Sequence, residues 1–473
     1  MIKNNSNVQT KQPEEKFGTR HFQVLLISLC LMTAGAISLS ISLAIIPMTD
    51  HTSIDFMYFD WTTSETSLVL SSYIWGYALF QVPNSYLASR WSAQKLMTLS
   101  LFISSAVNMF LPVITYAGGW IALCIGRITI GSCQSSFSSC SIVLLSKWAP
   151  TTERSRMSAF VMSGNVLGAI VAMSLSGLIA ASKLGWPGIF YIFGGSGLIL
   201  SIICHCHVWD CPTLHKTICP MEKEFIVKNL QQVENHCEID KTINPPWKKI
   251  LTSIPVWTLI VAECGSNWGR WTFNTEMPKY MKNILHFNIA ENGLISTLPY
   301  STFWILSFAF SWASDYAMRK NISISRIRRT CNTVGMWGPA LALVALCLIG
   351  TSSKIWPVVL LILAIGLKAG TSSGYVVNSL DLTPNFAGTV YSFTTCLSSF
   401  VSMLAPIVCG LIVTDETDVR QWHTVFYVTS AVYFTTNLFY VFFGRGKTRS
   451  WNNPLRKISV STIYDPNAIK INP

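Results

Sequence analysis

The chain has 473 residues, half of them hydrophobic and only 12% charged, with a net charge of +12 and a mean hydropathy of +0.41. A soluble domain carries roughly 25% charged residues, so this composition excludes an ordinary water-soluble fold and places most of the chain in lipid. The basic excess does not imply a nucleic-acid partner, because basic loops on one side of a membrane account for it.

Twelve apolar segments long enough to cross a bilayer of about 30 Å follow one another: 22–48, 67–88, 96–117, 119–145, 157–181, 188–209, 255–278, 293–314, 331–350, 355–378, 387–412 and 423–444. The first is too long for a cleavable signal peptide, has no small-residue cleavage site and follows a tail of mixed charge, Lys3 to Arg20. With the N-terminus inside, inner loops and tails hold 26 of the 34 Lys and Arg residues, while the outer loops hold Lys183, Lys279, Lys282, Lys354 and Arg420. This asymmetry predicts that both termini are cytoplasmic. Most of the 14 cysteines fall within spans, where an unpaired thiol behaves as a small hydrophobe, so no disulfide framework is expected.

The spans group as a cytoplasmic N-tail (1–21), a six-helix half (22–210), a polar cytoplasmic loop (211–254), a second six-helix half (255–444) and a cytoplasmic C-tail (445–473). A basic loop recurs at equivalent places, NSYLASRWSAQKL (84–96) after span 2 and SWASDYAMRKNISISRIRR (311–329) after span 8. These loops resemble the signature loop of the major facilitator superfamily. The second copy keeps Asp315 and its arginines, Arg319 included; the first has Arg90 but Ser89 where the acid is usual. The fold class expected is an all-α membrane protein of twelve transmembrane helices in two halves that rock about a central site. Gly164 and Gly168, and Gly366, Gly370 and Gly374, repeat at four-residue spacing and read as close helix contacts.

Span 4, CIGRITIGSCQSSFSSCSIVLL, holds one arginine, Arg127, well inside and runs into SKWAPTTERSR (146–156). A charge inside a span costs at least ~2.5–3.5 kcal/mol and normally faces a cavity or a partner. Arg127 lies ~12 Å from the outer start of the span, Glu263 is at similar depth from the inner start of span 7, and Lys368 is ~18 Å from the outside on span 10. Arg270 and Glu276 lie nearer the outer end of span 7. Three cations against one deep acid leave a positive excess that an anion would relieve. Arg binds a carboxylate or phosphate through a planar fork and Lys acts as a point charge. Glu263 and Arg270, seven residues apart, share a helix face and could pair with each other instead. Trp75 and Tyr77 on span 2, Gln134 and the serines after it on span 4, and Asn378 on span 10 are further polar candidates.

SKWAPTTERSR resembles the loop after span 4 in the solute carrier 17 family of anion:cation symporters. SSYIWGYALFQVP (71–83), PWKKILTSIPVW (246–257), NWGRWTFNTEMPKYMKNILHFNIAENGLISTLPY (267–300), VNSLDLTPNFAGT (377–389), QWHTVFYV (421–428) and GRGKTRSWN (444–452) extend that resemblance over about 20–450. NWG, MPKYM and LTPNFAGT are most similar to an invertebrate branch named for inorganic phosphate cotransport. The resemblance implies a secondary active carrier of inorganic phosphate or small organic anions, coupled to Na+ or H+, with Arg127 on the substrate. It implies gating roles for Arg90, Lys147, Glu153, Arg154, Asp315, Arg319 and Asp381. The sequence departs from the family where span 1 usually carries an arginine and an asparagine, here Ser38 and Ser40. It departs again where span 4 usually carries an acid and a histidine, here Gln134 and Ile142.

The site expected therefore comprises Arg127, Gln134, Arg270, Lys368, Trp75, Tyr77 and Asn378 for the substrate, with Glu263 and Glu276 for coupling or ion pairing. No phosphate-binding GxxxxGK[ST] loop or other enzyme signature occurs, so no cofactor is expected beyond a co-transported ion. The partners expected are a small anion and the bilayer, with no nucleic acid, and the chain is expected to act as a monomer. Cys204, His205, Cys206, His207, Cys211, His215 and Cys219 offer metal-ligand types without a standard ligand spacing, and no metal site is expected there. The tails show no acidic dileucine signal, which favours the plasma membrane over lysosomes or vesicles. The sequence leaves two rivals open: an uncoupled facilitative carrier, and a non-transporting receptor or scaffold on the same fold.

Overall fold

The computed structural model describes residues 18–49, 58–150, 153–227, 246–349, 354–383 and 387–446. The expected tail segments 1–17 and 447–473, and the middle of the polar loop (228–245), lie outside the described residues. Lipid offers no hydrogen-bond partners to a backbone, so the apolar segments close their own hydrogen bonds as helices. In the first half these are α1 (Thr19–Met48), α2 (Thr63–Arg90), α3 (Ala93–Gln134), α4 (Ser136–Trp148), α5 (Arg154–Ala180) and α6 (Gly185–His207). Two short helices follow, α7 over 220–227 and α8 (Trp247–Leu251).

The second half contains α9 (Ile254–Asn283), α10 (Ile289–Arg319), α11 (Ile324–Ile349), α12 (Ile355–Leu367), a π-helical turn (Ser372–Val376), α13 (Val377–Leu382), α14 (Ala387–Ser402), α15 (Leu404–Ile412) and α16 (Val419–Phe443). Among the described residues, nine helical segments are by themselves long and apolar enough to cross a membrane. One of them, Ala93–Trp148, holds expected spans 3 and 4. It reverses at Gly119, whose φ of 61° and ψ of −152° suit a residue without Cβ. α2 and α9 supply spans 2 and 7; they are long enough but more polar. The twelve-span, all-α architecture follows.

The two halves repeat each other in detail. α2 and α10, each the second helix of its half, both start with a capping box. Thr62 N donates to Glu65 Oε2 (2.8 Å) and Thr62 Oγ1 accepts from Glu65 N (3.3 Å). Asn288 N donates to Glu291 Oε2 (3.1 Å) and Asn288 Oδ1 accepts from Glu291 N (2.8 Å). Each box satisfies backbone donors left open at a helix start.

Glycines let backbones touch. A Cβ on Gly168 would meet Met32 O at 2.1 Å, and one on Gly164 would meet Ser28 O at 2.4 Å, so α5 lies flush on α1. Gly370 likewise approaches Cys331 O, at 2.6 Å. The packing role expected of these residues is what the structure shows.

Between the halves, the contacts that the glycines mark sit at the end of the bundle opposite the basic loops, hereafter the far end. A Cβ on Gly177 of α5 would come within 2.7 Å of Ile289 O and 2.8 Å of Gly293 Cα on α10, and one on Gly410 of α15 within 2.2 Å of Ser67 Oγ on α2. The buried residues of α10 are Asn292, Gly293, Ser296, Pro299 and Tyr300 in its far half, and only Ser314 toward the basic end. The halves are closed against each other at the far end, and toward the basic end little of α10 is buried.

Candidate functional site

Close packing of α2 on α3 builds the first wall. A Cβ on Gly76 would meet Ile128 O at 2.0 Å, and one on Gly131 would meet Tyr73 O at 2.1 Å. This proximity brings the Tyr73 ring under Arg127, whose Cζ stands 5.5 Å from the ring centroid. Tyr73 OH donates to Gln134 Oε1 at 2.9 Å. The ring also stacks on Tyr77 (6.1 Å) and meets Trp271 of the other half (5.8 Å). Arg127 is 2% exposed, and among the described residues neither its Nε nor Gln134 Nε2 has a hydrogen-bond partner. Buried donors normally find partners, so these two leave unused capacity in the centre of the bundle.

α9 builds the facing wall. Glu263 accepts a 2.8 Å hydrogen bond from Thr395 Oγ1, and Asn267 Nδ2 donates to Ser398 Oγ at 2.9 Å. The ion pair that the sequence allowed between Glu263 and Arg270 does not form: among the described residues no ion pair joins them. Arg270 is exposed within the bundle and lies in electrostatic reach of Tyr77 from the first half and of Glu263, Tyr375, Tyr391 and Lys368 from the second. Its position is therefore central.

The third cation comes from a broken helix. α12 ends at Leu367, and Lys368 opens a non-α stretch that includes the π turn, with Gly374 at φ −86° and ψ −111°. Single π turns inside helices recur at functional sites. Expected span 4 is interrupted at the equivalent place of the first half, at Ser135 between α3 and α4. Lys368 is 4% exposed, its charged neighbour is another cation, Arg270, and among the described residues its ammonium has no acidic partner. Arg270 and Lys368 are thus electrostatic neighbours, Arg127 lies over Tyr73, whose ring meets Trp271 of the other half, and Glu263 is engaged by a hydroxyl.

Other expected site residues go elsewhere. Asn378 Nδ2 donates to Tyr440 OH at 2.8 Å, tying α13 to α16, and its Oδ1 has no partner among the described residues. Glu276 lies toward the far end, 3.5 Å from Lys279 Nζ, which also stands 3.9 Å from Glu416 Oε1. Lys279 is buried inside α9 and does not belong to an outer loop, because the helix runs on through Pro278 to Asn283. Trp75 is half-buried, and its Nε1 has no partner among the described residues.

At the basic end, Glu153 accepts from Arg20 Nε at 2.9 Å and Glu222 from Arg20 Nη1 at 3.0 Å. Asp381 holds Arg328 Nε at 2.8 Å. Arg328 also donates to Ser314 Oγ and to Ser373 O, both at 3.1 Å, which satisfies a carbonyl at the π turn. Arg90 lies over Tyr86, 5.6 Å from its ring; Lys147 is in the last turn of α4; Asp315 and Arg319 are exposed. Arg154 begins α5, and its side chain lies outside the described residues.

Sequence reasoning missed Tyr73, Trp271, Arg20 and Arg328. Tyr73 had a signal, since it precedes Tyr77 by four residues and shares its helix face. Arg20 and Arg328 were counted only as loop charge, and their partners Glu222 and Asp381 lie 202 and 53 residues away. In the Cys/His cluster, Cys204 Sγ meets Cys30 Sγ at 3.4 Å. Among the described residues no three His, Cys, Asp or Glu side chains are grouped to hold a metal.

Residues 24–406 match the Major Facilitator Superfamily. The chain is 33% identical to the "Putative inorganic phosphate cotransporter" of Drosophila melanogaster, over 94% of this chain and 88% of that protein. The chain belongs to the solute carrier 17 family. It is also 33% identical to sialin of Ovis aries, over 83% of this chain and 77% of that protein. Sodium-dependent phosphate transport protein 1 of Rattus norvegicus is 30% identical, over 83% of each. In fold the chain is similar to a bacterial homologue of the human lysosomal transporter Spinster, in an inward-facing and occupied conformation. The TM-score there is 0.71 at 12% identity, covering 89% of this chain and 96% of that one. Members of this superfamily are transporters and not enzymes.

Proposed function

We propose that this chain is a secondary active carrier that moves a small anion, inorganic phosphate or an organic carboxylate, by alternating access, with a cation taken up alongside. The observation that carries this reading is the uncompensated positive cluster: Arg127 with an unused Nε, Arg270 exposed inside the bundle, and Lys368 buried with no acidic partner among the described residues. Cations in a site of low dielectric attract an anion far more strongly than they would in water. Tyr77 and the Nε2 group of Gln134, unpartnered among the described residues, supply neutral donors beside them. The names of the phosphate-carrying relatives agree with an anion of this kind.

Glu263 is the place for the coupling ion. A carboxylate buried so deeply is stabilised when a proton or a metal cation joins it, and Thr395 already holds its geometry. Sodium fits its oxygen-rich surroundings, and the rat relative's name is consistent with sodium. The basic end faces the cytoplasm in this reading, which makes the state described here inward-facing, and the plasma membrane is the site of action. The neutral Gln134 and Ile142 favour a second reading, uncoupled movement.

Radiolabelled uptake into proteoliposomes tests both, using phosphate, urate, sialate and glutamate under imposed sodium, proton and voltage gradients. Anion uptake driven by a cation gradient and lost in Glu263→Gln supports the proposal. Uptake indifferent to every cation gradient selects the uncoupled carrier. No uptake of any anion by folded protein removes the transport reading.

A further inference from the structure

Outside the central site, a cavity of about 380 Å³ opens on the flank of the bundle between α3 and α6, lined by Trp91, Lys95, Thr98, Phe102, Ile202 and His205, among others. Its construction is graded along the helix axis. At the basic end stand Trp91, Lys95 and His205, all exposed. Deeper toward the middle of the bundle, Leu99, Phe102 and Ile202 are 47%, 48% and 59% exposed, although each is a large apolar side chain. The floor is polar but satisfied from within: Thr98 Oγ1 donates to Gln94 O at 2.9 Å and Ser201 Oγ to Leu198 O at 2.8 Å. Gln94 Nε2 donates to His205 O at 3.3 Å. Asp210 accepts from Ser92 Oγ and from Gln94 N, so the one carboxylate close by is committed to the start of α3. Among the described residues, no carboxylate pairs with the Lys95 ammonium. Arg90, the last residue of α2, lies over the Tyr86 ring at the same end of the bundle.

We infer that this groove holds a phospholipid with an anionic headgroup, from the leaflet at the basic end. The headgroup phosphate sits between Lys95 and His205, the indole of Trp91 lies at the interface, and one acyl chain runs along Leu99, Phe102 and Ile202. Charge complementarity commits the groove to this occupant. Its apolar wall suits a chain, and its rim carries cation without acid, as basic pockets between spans on the cytoplasmic side do for anionic lipids. Tryptophan is the residue placed at such interfaces. A free phosphate would leave the apolar wall unused. The inference rests on the proposed orientation only in naming the leaflet; it is independent of which solute is carried.

Photo-crosslinking of the purified full chain tests it, with a phosphatidylglycerol and a phosphatidylcholine that each carry a photoreactive acyl chain. Labelled peptides are then mapped by mass spectrometry. The expected result is preferential labelling by phosphatidylglycerol of peptides spanning 91–102 and 201–205. Labelling should fall about fivefold in Lys95→Gln and fall with both lipids in Ile202→Asp, in protein that still elutes as one species. Excess inorganic phosphate should not compete. Equal labelling by the two lipids, or full labelling of Lys95→Gln, overturns the inference. Displacement by inorganic phosphate overturns it too, by showing a site for the free anion.

Discussion

Tyr73 donates its hydroxyl to Gln134 at 2.9 Å while the face of the same ring lies under Arg127. One tyrosine therefore orients the amide and sets the surroundings of the guanidinium. Gln134 stands where the family usually carries an acid, and its neutrality keeps the positive charge of Arg127 uncompensated. Gln134→Glu would place a carboxylate ~10 Å along the helix axis from Arg127. At an effective dielectric of ~20 that is worth about 1.7 kcal/mol against a bound anion, so anion affinity should weaken about twentyfold. Equilibrium binding of radiolabelled phosphate to the purified protein checks this.

Tyr73→Phe removes the donor and leaves the buried Gln134 amide without its partner. The unsatisfied group should cost about 1–3 kcal/mol of stability. Thermal unfolding followed by tryptophan fluorescence reads the loss, and initial uptake rates should fall as the wall of the site loosens.

Lys368 trades stability for function. Replacing it with Met keeps the length of the side chain and removes a buried charge that has no acidic partner among the described residues. Stability should rise by about 1–4 kcal/mol while KM for the transported anion increases. A substitution that lowered both stability and affinity would show that Lys368 is held by structural contacts instead.

Arg328 and Asp381 act in the opposite sense. Their pair, at 2.8 Å, joins α11 to α13 and lets Arg328 reach the freed carbonyl of Ser373. Arg328→Gln should cost about 3 kcal/mol, because it removes the guanidinium that pairs with Asp381 and satisfies that carbonyl. A double-mutant cycle with Asp381→Asn should return a coupling of about 0.5–3 kcal/mol.

Closure at the far end depends on backbone contact between Gly177 and Gly293. Gly293→Val adds branches where a Cβ would already lie 2.7 Å from Met173 O and 2.8 Å from Gly177 Cα. Two spin labels, on the far-end turns near 181–184 and 284–288, should move apart in this variant, and uptake should slow.

His215 is wedged between Trp148 and Trp209, with ring centroids 5.8 and 5.6 Å away. Burial lowers its pKa, partly opposed by the charge of Glu222. The folded form prefers neutral imidazole, so its contribution is complete above the ordinary value of about 6.5 and is lost as pH falls through the lowered one. Hydrogen exchange over 208–227, corrected for intrinsic rates, should quicken in that acidic window and lose the pH dependence in His215→Phe.

Much of the fold was legible because lipid imposes it: a run of apolar residues long enough to cross must be helical. The buried cations were legible for the same reason, since charge in such a run stands out. Three features were not. The breaks at Ser135 and Lys368–Val376 leave no mark in hydropathy, because the backbone departs from α geometry without a change in side-chain polarity. Tyr73 looked like any aromatic in a span until packing placed Arg127 over it. Asn378 looked available, and only the fold supplies Tyr440 as its partner. The span boundary that put Lys279 in a loop failed because α9 runs on past Pro278 to Asn283, and Asn292 Nδ2 of α10 donates to the Pro278 carbonyl at 2.7 Å.

The central claim is that Arg127, Arg270 and Lys368 hold an anion between the two halves. Scintillation-proximity binding of radiolabelled phosphate and of a carboxylate panel to purified protein tests it most directly, comparing the native chain with Arg270→Gln and with Lys368→Met. The account predicts saturable binding of at least one anion to the native chain. Each substitution should weaken that binding by tenfold or more, about 1.4 kcal/mol, with the fold intact by thermal unfolding. Anion binding of unchanged affinity in both variants would contradict it.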